Sequence, residues 1–261
     1  MKETRRPRVR LLGVILALMA ASTWAEAQAA SSDDGWRFQL TPYFWASGVQ
    51  GSVTIRRLPA LEVDASFSDI IDKFDFGFLG HFEGRTGRFG FATDLVYLNL
   101  GAPLGEGQPV ILILEPEIDV QQIIGEGVGF YRLAQDPEDA ERAYADVFVG
   151  ARYFKARNRI NLIGGTVAES SVAWADAILG LRGRAPLGSK AALLARGDIG
   201  TFGSNFAWNV EGSVVLAVSK RWSLGAGYRY LHEDYETGSG TERSALDIGF
   251  GGPLLQATFA F

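Results

Sequence analysis

Two histidines, a recurring Gly-x-Arg triplet and a set of acids at alternate positions are the residues of this chain with chemical reach. His81 and Glu83 stand two apart, so in an extended segment both side chains leave one face. Such a pair is a minimal general acid–base unit and offers two donors to a metal. No second histidine stands on that face to complete a ligand set, and no serine sits in an evident nucleophile motif. The chain has no cysteine, which excludes a thiol nucleophile, a disulfide scaffold and Cys-ligated zinc or iron–sulfur sites. No cofactor, metal or catalytic set is therefore expected, and His81 is read as part of a charge ladder.

That ladder is written in the triplets Gly150-Ala151-Arg152, Gly180-Leu181-Arg182 and Gly227-Tyr228-Arg229. Alternation puts Gly and Arg on the same face, the glycine leaving room for a guanidinium. Arg184 follows Arg182 on that face, and the acids expected opposite are Asp94, Asp146, Asp176, Asp198, Glu211 and Asp247. A buried charge costs several kcal/mol unless paired, so a matched Arg/acid network is the expected arrangement, structural rather than catalytic.

The elements that carry these residues alternate with period two. Phe206, Trp208, Val210, Val214 and Leu216 oppose Asn205, Asn209, Glu211 and Ser213; Trp222, Leu224, Tyr228 and Tyr230 oppose Ser223, Gly225, Gly227 and Arg229. Phe74, Phe76, Phe78 and Phe82 oppose Asp75, Gly77, His81 and Glu83. The polar face carries Gly, Arg and Asp in compact combinations instead of the Lys, Glu and Thr of a soluble sheet. The apolar face carries rings near the strand ends. A crowded polar lumen and a lipid-facing outer band fit that division. A sheet in lipid must close so that no edge amide is left unpaired.

Lys2, Arg5, Arg6, Arg8 and Arg10 precede a short apolar run, Leu11 to Ala21, and then small-x-small sites around Ala25, Ala27 and Ala29. The run is too short to cross a bilayer as a helix and reads as a cleaved secretory signal, residues 1–27. Its removal takes away five basic and two acidic residues, so the net charge of −5 becomes −8. An acidic balance of this kind argues against nucleic acid as a partner.

Short and long connections alternate along residues 28–261. They predict an all-β, closed antiparallel transmembrane β-barrel of about ten strands, near 36–57, 74–85, 88–100, 116–133, 143–156, 172–185, 190–202, 205–219, 222–234 and 242–261. The first and last strands are long, and each loses its apolar parity part-way. Val49, Val53 and Ile55 replace Phe38, Leu40 and Phe44, while Leu246, Ile248 and Phe250 read as outward before Leu255, Ala257 and Phe259. A bulge or a tight turn at each point accounts for this, and turns at both give twelve strands; eight is the other alternative. Phe67, Ile70, Ile71 and Phe74 fall at helical spacing behind Ser66 and Ser68, as a capped loop helix that packs locally or folds over the barrel mouth.

The signal, the ending Leu255-x-Ala257-x-Phe259-x-Phe261 and Gly-Tyr-Arg-Tyr-Leu at 227–231 resemble small Gram-negative outer-membrane β-barrel proteins, the porin-like and opacity-type group. The resemblance implies location in the outer membrane and recognition of the C-terminal residues by the barrel assembly machinery. It also implies periplasmic short turns and external long loops. Lys155, Arg157 and Arg159 then fall in an external loop, where they suit lipopolysaccharide phosphates. The reading is a non-enzymatic barrel with a structural or surface-interaction role and a narrow, largely side-chain-filled lumen or weak pore. Two alternatives stand beside it: a lipid- or peptide-modifying outer-membrane enzyme using His81 and Glu83, and a soluble periplasmic lipocalin-like carrier.

Overall fold

A computed structural model describes residues 35–55, 61–71, 74–103, 117–162, 165–239 and 243–261. The expected signal segment, 1–27, lies outside them. Twelve strand segments follow one another: β1 (Arg37–Trp45), β2 (Gly48–Ile55), β3 (Leu61–Ala65), β4 (Phe74–Thr86), β5 (Phe89–Pro103), β6 (Glu117–Gln135), β7 (Tyr144–Leu162), β8 (Gly165–Pro186), β9 (Ala191–Thr201), β10 (Phe206–Ala217), β11 (Trp222–Thr237) and β12 (Ser244–Ala260). One short helix, α1 (Phe67–Ile71), precedes β4. Among the described residues no helix is long and apolar enough to cross a membrane.

The sheet closes. β4 to β12 pair in sequence as antiparallel neighbours, β1 pairs β4 on one side, and β12 pairs β1 on the other. Both β1 and β2 lie against β12, with Gln39 opposite Ala260, Trp45 opposite Leu254, Gly48 opposite Gly251 and Ile55 opposite Ser244. The register passes through without a shift, so β1 and β2 are one strand and the barrel has ten. β3 is an extra segment, hydrogen-bonded to the free edge of β2.

Neither parity change in the first and last strands is an inserted residue or a chain reversal; between β1 and β2 the Ser47 N–H bonds back to the Trp45 carbonyl at 2.9 Å, a γ-turn that leaves the register with β12 unchanged. At the midpoint of β12, Ala46 donates its N–H to the Pro253 carbonyl at 2.9 Å, and Pro253 has no N–H to return. A Cβ on Gly252 would stand 2.0 Å from the Ala46 carbonyl oxygen, so only glycine fits that close approach. The backbone keeps its alternation, and it is the lumen that changes character. Ile248 and Phe250, expected outside, are 6% and 5% exposed and face inward with Leu254, whereas Leu255 on the outer face is 57% exposed.

The start of β1 and the end of β12, the termini of the barrel, lie at one end with the tight turn at Gly87, φ 53°, and the turns after β6, β8 and β10. At the other end β6, β7 and β8 run on for 19, 19 and 22 residues, whereas β9 and β10 have 11 and 12. A spanning strand needs only about 9–11 residues, so three neighbouring strands overrun the wall. The stretch 156–171, expected as a loop, is largely the continuation of β7 and β8.

The outside is apolar. Leu95, Val149, Leu179, Ile199, Val210 and Leu224 are exposed between two sets of rings. Near the termini, stacked or tilted rings link Trp36, Phe38, Phe82, Phe91 and Phe261, and Trp222 meets Phe259. Nearer the other end Trp208 stacks on Tyr230 and lies beside His232. An apolar band between aromatic girdles is the surface of a barrel solvated by lipid.

Candidate functional site

The inward faces of all ten strands build the site, a lumen in two layers. In the layer nearer the termini, Arg132 donates from Nε to Asp146 Oδ1 at 2.9 Å, and Arg182 reaches Asp146 and Glu83, the latter at 2.6 Å. Arg85 is ion-paired with Glu141 in the turn after β6, which ties that turn across the barrel end. Deeper, Arg152 donates to Glu126 at 2.9 Å and Asp198 at 2.5 Å, and Arg196 to Glu126 at 2.5 Å and Asp198 at 3.0 Å. Asn209 donates to Asp198 and accepts from Arg229 Nε at 3.1 Å, and Arg229 continues to Asp94 at 3.4 Å. Each carboxylate thus bridges strands that are not neighbours.

Four guanidiniums also lie over rings: Arg132 over Tyr144, Arg182 over Phe130, Arg196 over Phe148 and Arg229 over Trp45, at 4.0 to 4.9 Å. Arginine suits both contacts at once, because its planar fork pairs carboxylates in plane and stacks face-on. The inward glycines are fitted to this crowding. A Cβ on Gly180 would stand 2.4 Å from the Phe148 ring, and one on Gly227 2.5 Å from the Ser213 side chain.

Beyond the charged layer the lumen is apolar. Trp45, Val96, Ile124, Phe154, Trp174, Leu231, Ile248, Phe250 and Leu254 form one buried cluster. Trp174 is stacked between Phe154 and Tyr235, each at 4.3 Å, and donates its indole N–H to Glu233 at 3.4 Å.

The expected network residues meet different fates. Asp94, Asp146, Arg152, Arg182, Asp198 and Arg229 are joined as above. Asp176 is buried but pairs with no arginine among the described residues: its Oδ1 accepts the Gly203 and Ser204 N–H groups at 2.9 and 2.7 Å. The left-handed Phe202, φ 99°, bends the β9–β10 turn so that these amides face it. Arg184 makes no ion pair among the described residues, and its Nε is buried without a hydrogen-bond partner. Glu211 faces inward with no hydrogen bond or ion pair among the described residues. Asp247 is a correction: it stands on the outer face, its side chain 64% exposed, 3.5 Å from His232. Alternation carries it outside once Ile248 points in.

His81 lies between two carboxylates, Nε2 3.7 Å from Glu83 and Nδ1 3.6 Å from Asp94. Both acids are already engaged, Glu83 by Arg182 and Asp94 by the Tyr43 hydroxyl at 2.8 Å. Among the described residues no hydroxyl is hydrogen-bonded to the imidazole, and no trio of His, Asp or Glu side chains is arranged to hold a metal ion. The arrangement stores charge compactly; it does not present a nucleophile with its base.

Sequence reasoning missed Glu126, Arg132, Arg196, Asn209 and Glu233. In β6 the inward face reads Ile124, Glu126, Val128, Phe130, Arg132, and the outward face Gly125, Gly127, Gly129. The usual rule of apolar residues outside points the wrong way there. The useful signal was that a charge every third inward position requires partners.

Lys155 and Arg157 stand on the outer face of β7, above Tyr153, not in a loop. Arg159 is opposite Asp119 and Glu169 in the backbone register, and its side chain lies outside the described ones. Helix α1 is capped by Ser66, whose N–H and hydroxyl both donate to Asp69 Oδ2 at 2.9 and 2.5 Å. Phe67 packs edge-on against the outward Phe44 at 5.6 Å, so the helix docks on the wall rather than over the mouth.

No protein-family model and no curated protein matches the chain. Among solved structures it is similar to Ail, the attachment invasion locus protein of Yersinia pestis, in complex with the heparin analogue sucrose octasulfate. That pair is 12% identical over 87% of this chain and 99% of Ail, with TM-score 0.37. The translocator domain of autotransporter NalP from Neisseria meningitidis is 12% identical, with 96% and 95% covered and TM-score 0.42. Neisserial surface protein A is 14% identical, with 87% and 99% covered and TM-score 0.30. At such identities and scores these likenesses carry no argument about activity. The barrel's own residues must say what it does.

Proposed function

We propose that the protein is a non-enzymatic barrel of a Gram-negative outer membrane, with a sealed lumen and a surface-interaction role. The carrying observation is the inversion of solvent preference across the wall: buried Arg152, Asp146 and Glu233 inside, exposed Leu179, Ile199 and Leu255 outside. In water such an exterior would aggregate, whereas lipid solvates it. A ten-stranded barrel is little wider than those whose side chains fill the interior. Here the fill is an arginine–carboxylate layer followed by an apolar one.

The surface role is supported by the overrunning sheet of β6, β7 and β8, which places Lys155 and Arg157 beyond the ring of Tyr153. Cations just outside an aromatic girdle suit the phosphates of lipopolysaccharide. The barrel assembly machinery is the expected partner in biogenesis, reading Leu255, Ala257, Phe259 and Phe261. His81 and Glu83 serve the charge ladder, and no nucleic acid or cofactor takes part.

Fractionation of cells making the full chain tests the reading. We expect recovery with outer membranes, as a band whose electrophoretic migration shifts on boiling. Recovery in a soluble periplasmic extract overturns it in favour of a carrier.

A further inference from the structure

The charged layer is not solid. All ten strands wall a cavity of about 130 Å³ in the half of the lumen nearer the termini. Three guanidiniums, from Arg182, Arg196 and Arg229, reach it together with the His81 imidazole. We propose that this cavity binds a small carboxylate anion carrying a short alkyl chain. The proposal rests on the sealed-lumen reading above and adds a ligand to it.

The choice of an anion follows from what each guanidinium has left to give. Arg182 donates from Nη1 to Glu83 and from Nε to Asp146, at 2.6 and 3.2 Å. Its Nη2 is buried without a hydrogen bond, although Asp146 stands 3.1 Å away. Arg229 spends Nε on Asn209 and Nη1 on Tyr43 and Asp94. Its Nη2, 3.5 Å from Glu126, is likewise buried without a hydrogen bond. Arg196 spends Nε on Asp198 and Nη2 on Glu126, and its Nη1 donates to nothing among the described residues. A guanidinium nitrogen kept from water without an acceptor is costly, and an incoming carboxylate supplies one. Asp146, Glu126 and Asp198, which hold these arginines, do not line the cavity. Seen from inside, three guanidiniums and an imidazole face the carboxylates of Glu83, Asp94 and Glu211 alone.

Of those acids, Glu83 and Asp94 are engaged, by Arg182 and by the Tyr43 hydroxyl. Glu211 is half-buried opposite Arg196 and Arg229 in the backbone register, and pairs with neither. Its charge works against an incoming anion, so neutralising it should tighten binding. Arg196 and His81 are the most exposed of the cavity's donors, at 16% and 24% of their side chains. The planar guanidinium fork matches a carboxylate in both charge and shape. Val128, Phe148 and Leu254 line the same cavity with apolar surface that fits a short alkyl chain. The ligand class is therefore a carboxylate on a small apolar body, not an ammonium or a metal cation.

Titration calorimetry on the full-length protein, folded in detergent in a carboxylate-free buffer, tests this with three isosteric probes: propionate, n-propanol and n-propylammonium. We expect saturable one-to-one binding of propionate alone. Its affinity should fall about tenfold or more in Arg196→Gln, which loses a charge-assisted hydrogen bond, and rise about threefold in Glu211→Gln. Equal binding of the alcohol, preference for the ammonium, no saturable binding, unchanged affinity in folded Arg196→Gln, or no gain in folded Glu211→Gln each overturns it. The selectivity of the wild type among the probes decides the matter even where a variant does not fold. Free ion conduction by the wild type removes the sealed-lumen reading; a non-conducting protein that ignores propionate removes this proposal alone.

Discussion

Arg152 is 1% exposed and faces Glu126, Asp198 and Glu233, the last at 3.9 Å. Replacing it by methionine keeps the bulk and strands those acids, a change worth about 3–5 kcal/mol when one partner of a buried ion pair is lost. Arg152→Met should lower the unfolding free energy measured by urea titration in lipid vesicles by that amount, seen as a lower midpoint at unchanged slope. A loss below about 1 kcal/mol would show that the layer is hydrated and the lumen not packed. Outside the membrane, Asp136 Oδ1 accepts the N–H groups of Glu138 and Asp139, at 2.9 and 3.2 Å, in the turn after β6. The Glu138 amide, then that of Asp139, holds this carboxyl below its ordinary 3.8. A depressed folded value means the turn gains stability above the ordinary range and loses it as pH falls through the lowered value. Amide exchange at Glu138 and Asp139 should therefore quicken below about pH 4 beyond its intrinsic rate, and Asp136→Asn should abolish that dependence. The Gly-x-Arg pattern made the inward arginines legible in the sequence, because spacing alone fixes which face they share. Their partners were not: Asp176 serves a turn and Asp247 faces out, for reasons set by neighbouring strands.

Closure depends on the last element. Phe261 donates its N–H to the Phe38 carbonyl and accepts the Phe38 N–H, each at 3.0 Å, and its ring stacks on Phe38 at 5.8 Å. The terminal residue is thus the final rung between β12 and β1. Deleting Phe261 should cut the boil-sensitive, membrane-assembled fraction several-fold, while Phe261→Trp restores most of it. Equal assembly of the deletion would deny the terminus any role in closure or recognition. Strand number and the strands β4 to β11 were readable from alternation, since one wet and one oily face enforce period two. β2 and the first half of β12 misled because that rule assumes a uniformly polar lumen. Val49, Val53, Ile248 and Phe250 are apolar and inward. Only pairing across the whole barrel reveals that both faces of a strand are apolar at one depth.

For the molecule as a whole, two dissimilar layers in series decide what crosses it. An arginine–carboxylate layer offers polar groups, but nearly all are paired among themselves. The layer of Trp45, Phe154, Trp174, Leu231 and Phe250 beyond it offers an ion nothing in exchange for its hydration. Residues exposed to lipid could be inferred from one strand at a time; the apolar layer could not, because among the described residues it is made by eight strands, all but β9 and β10, meeting at one level. Recording from the purified protein in planar bilayers tests the sealed lumen most directly. The account predicts a baseline without stable conductance steps across the voltage range the membrane tolerates, and large, uniform, long-lived openings would contradict it.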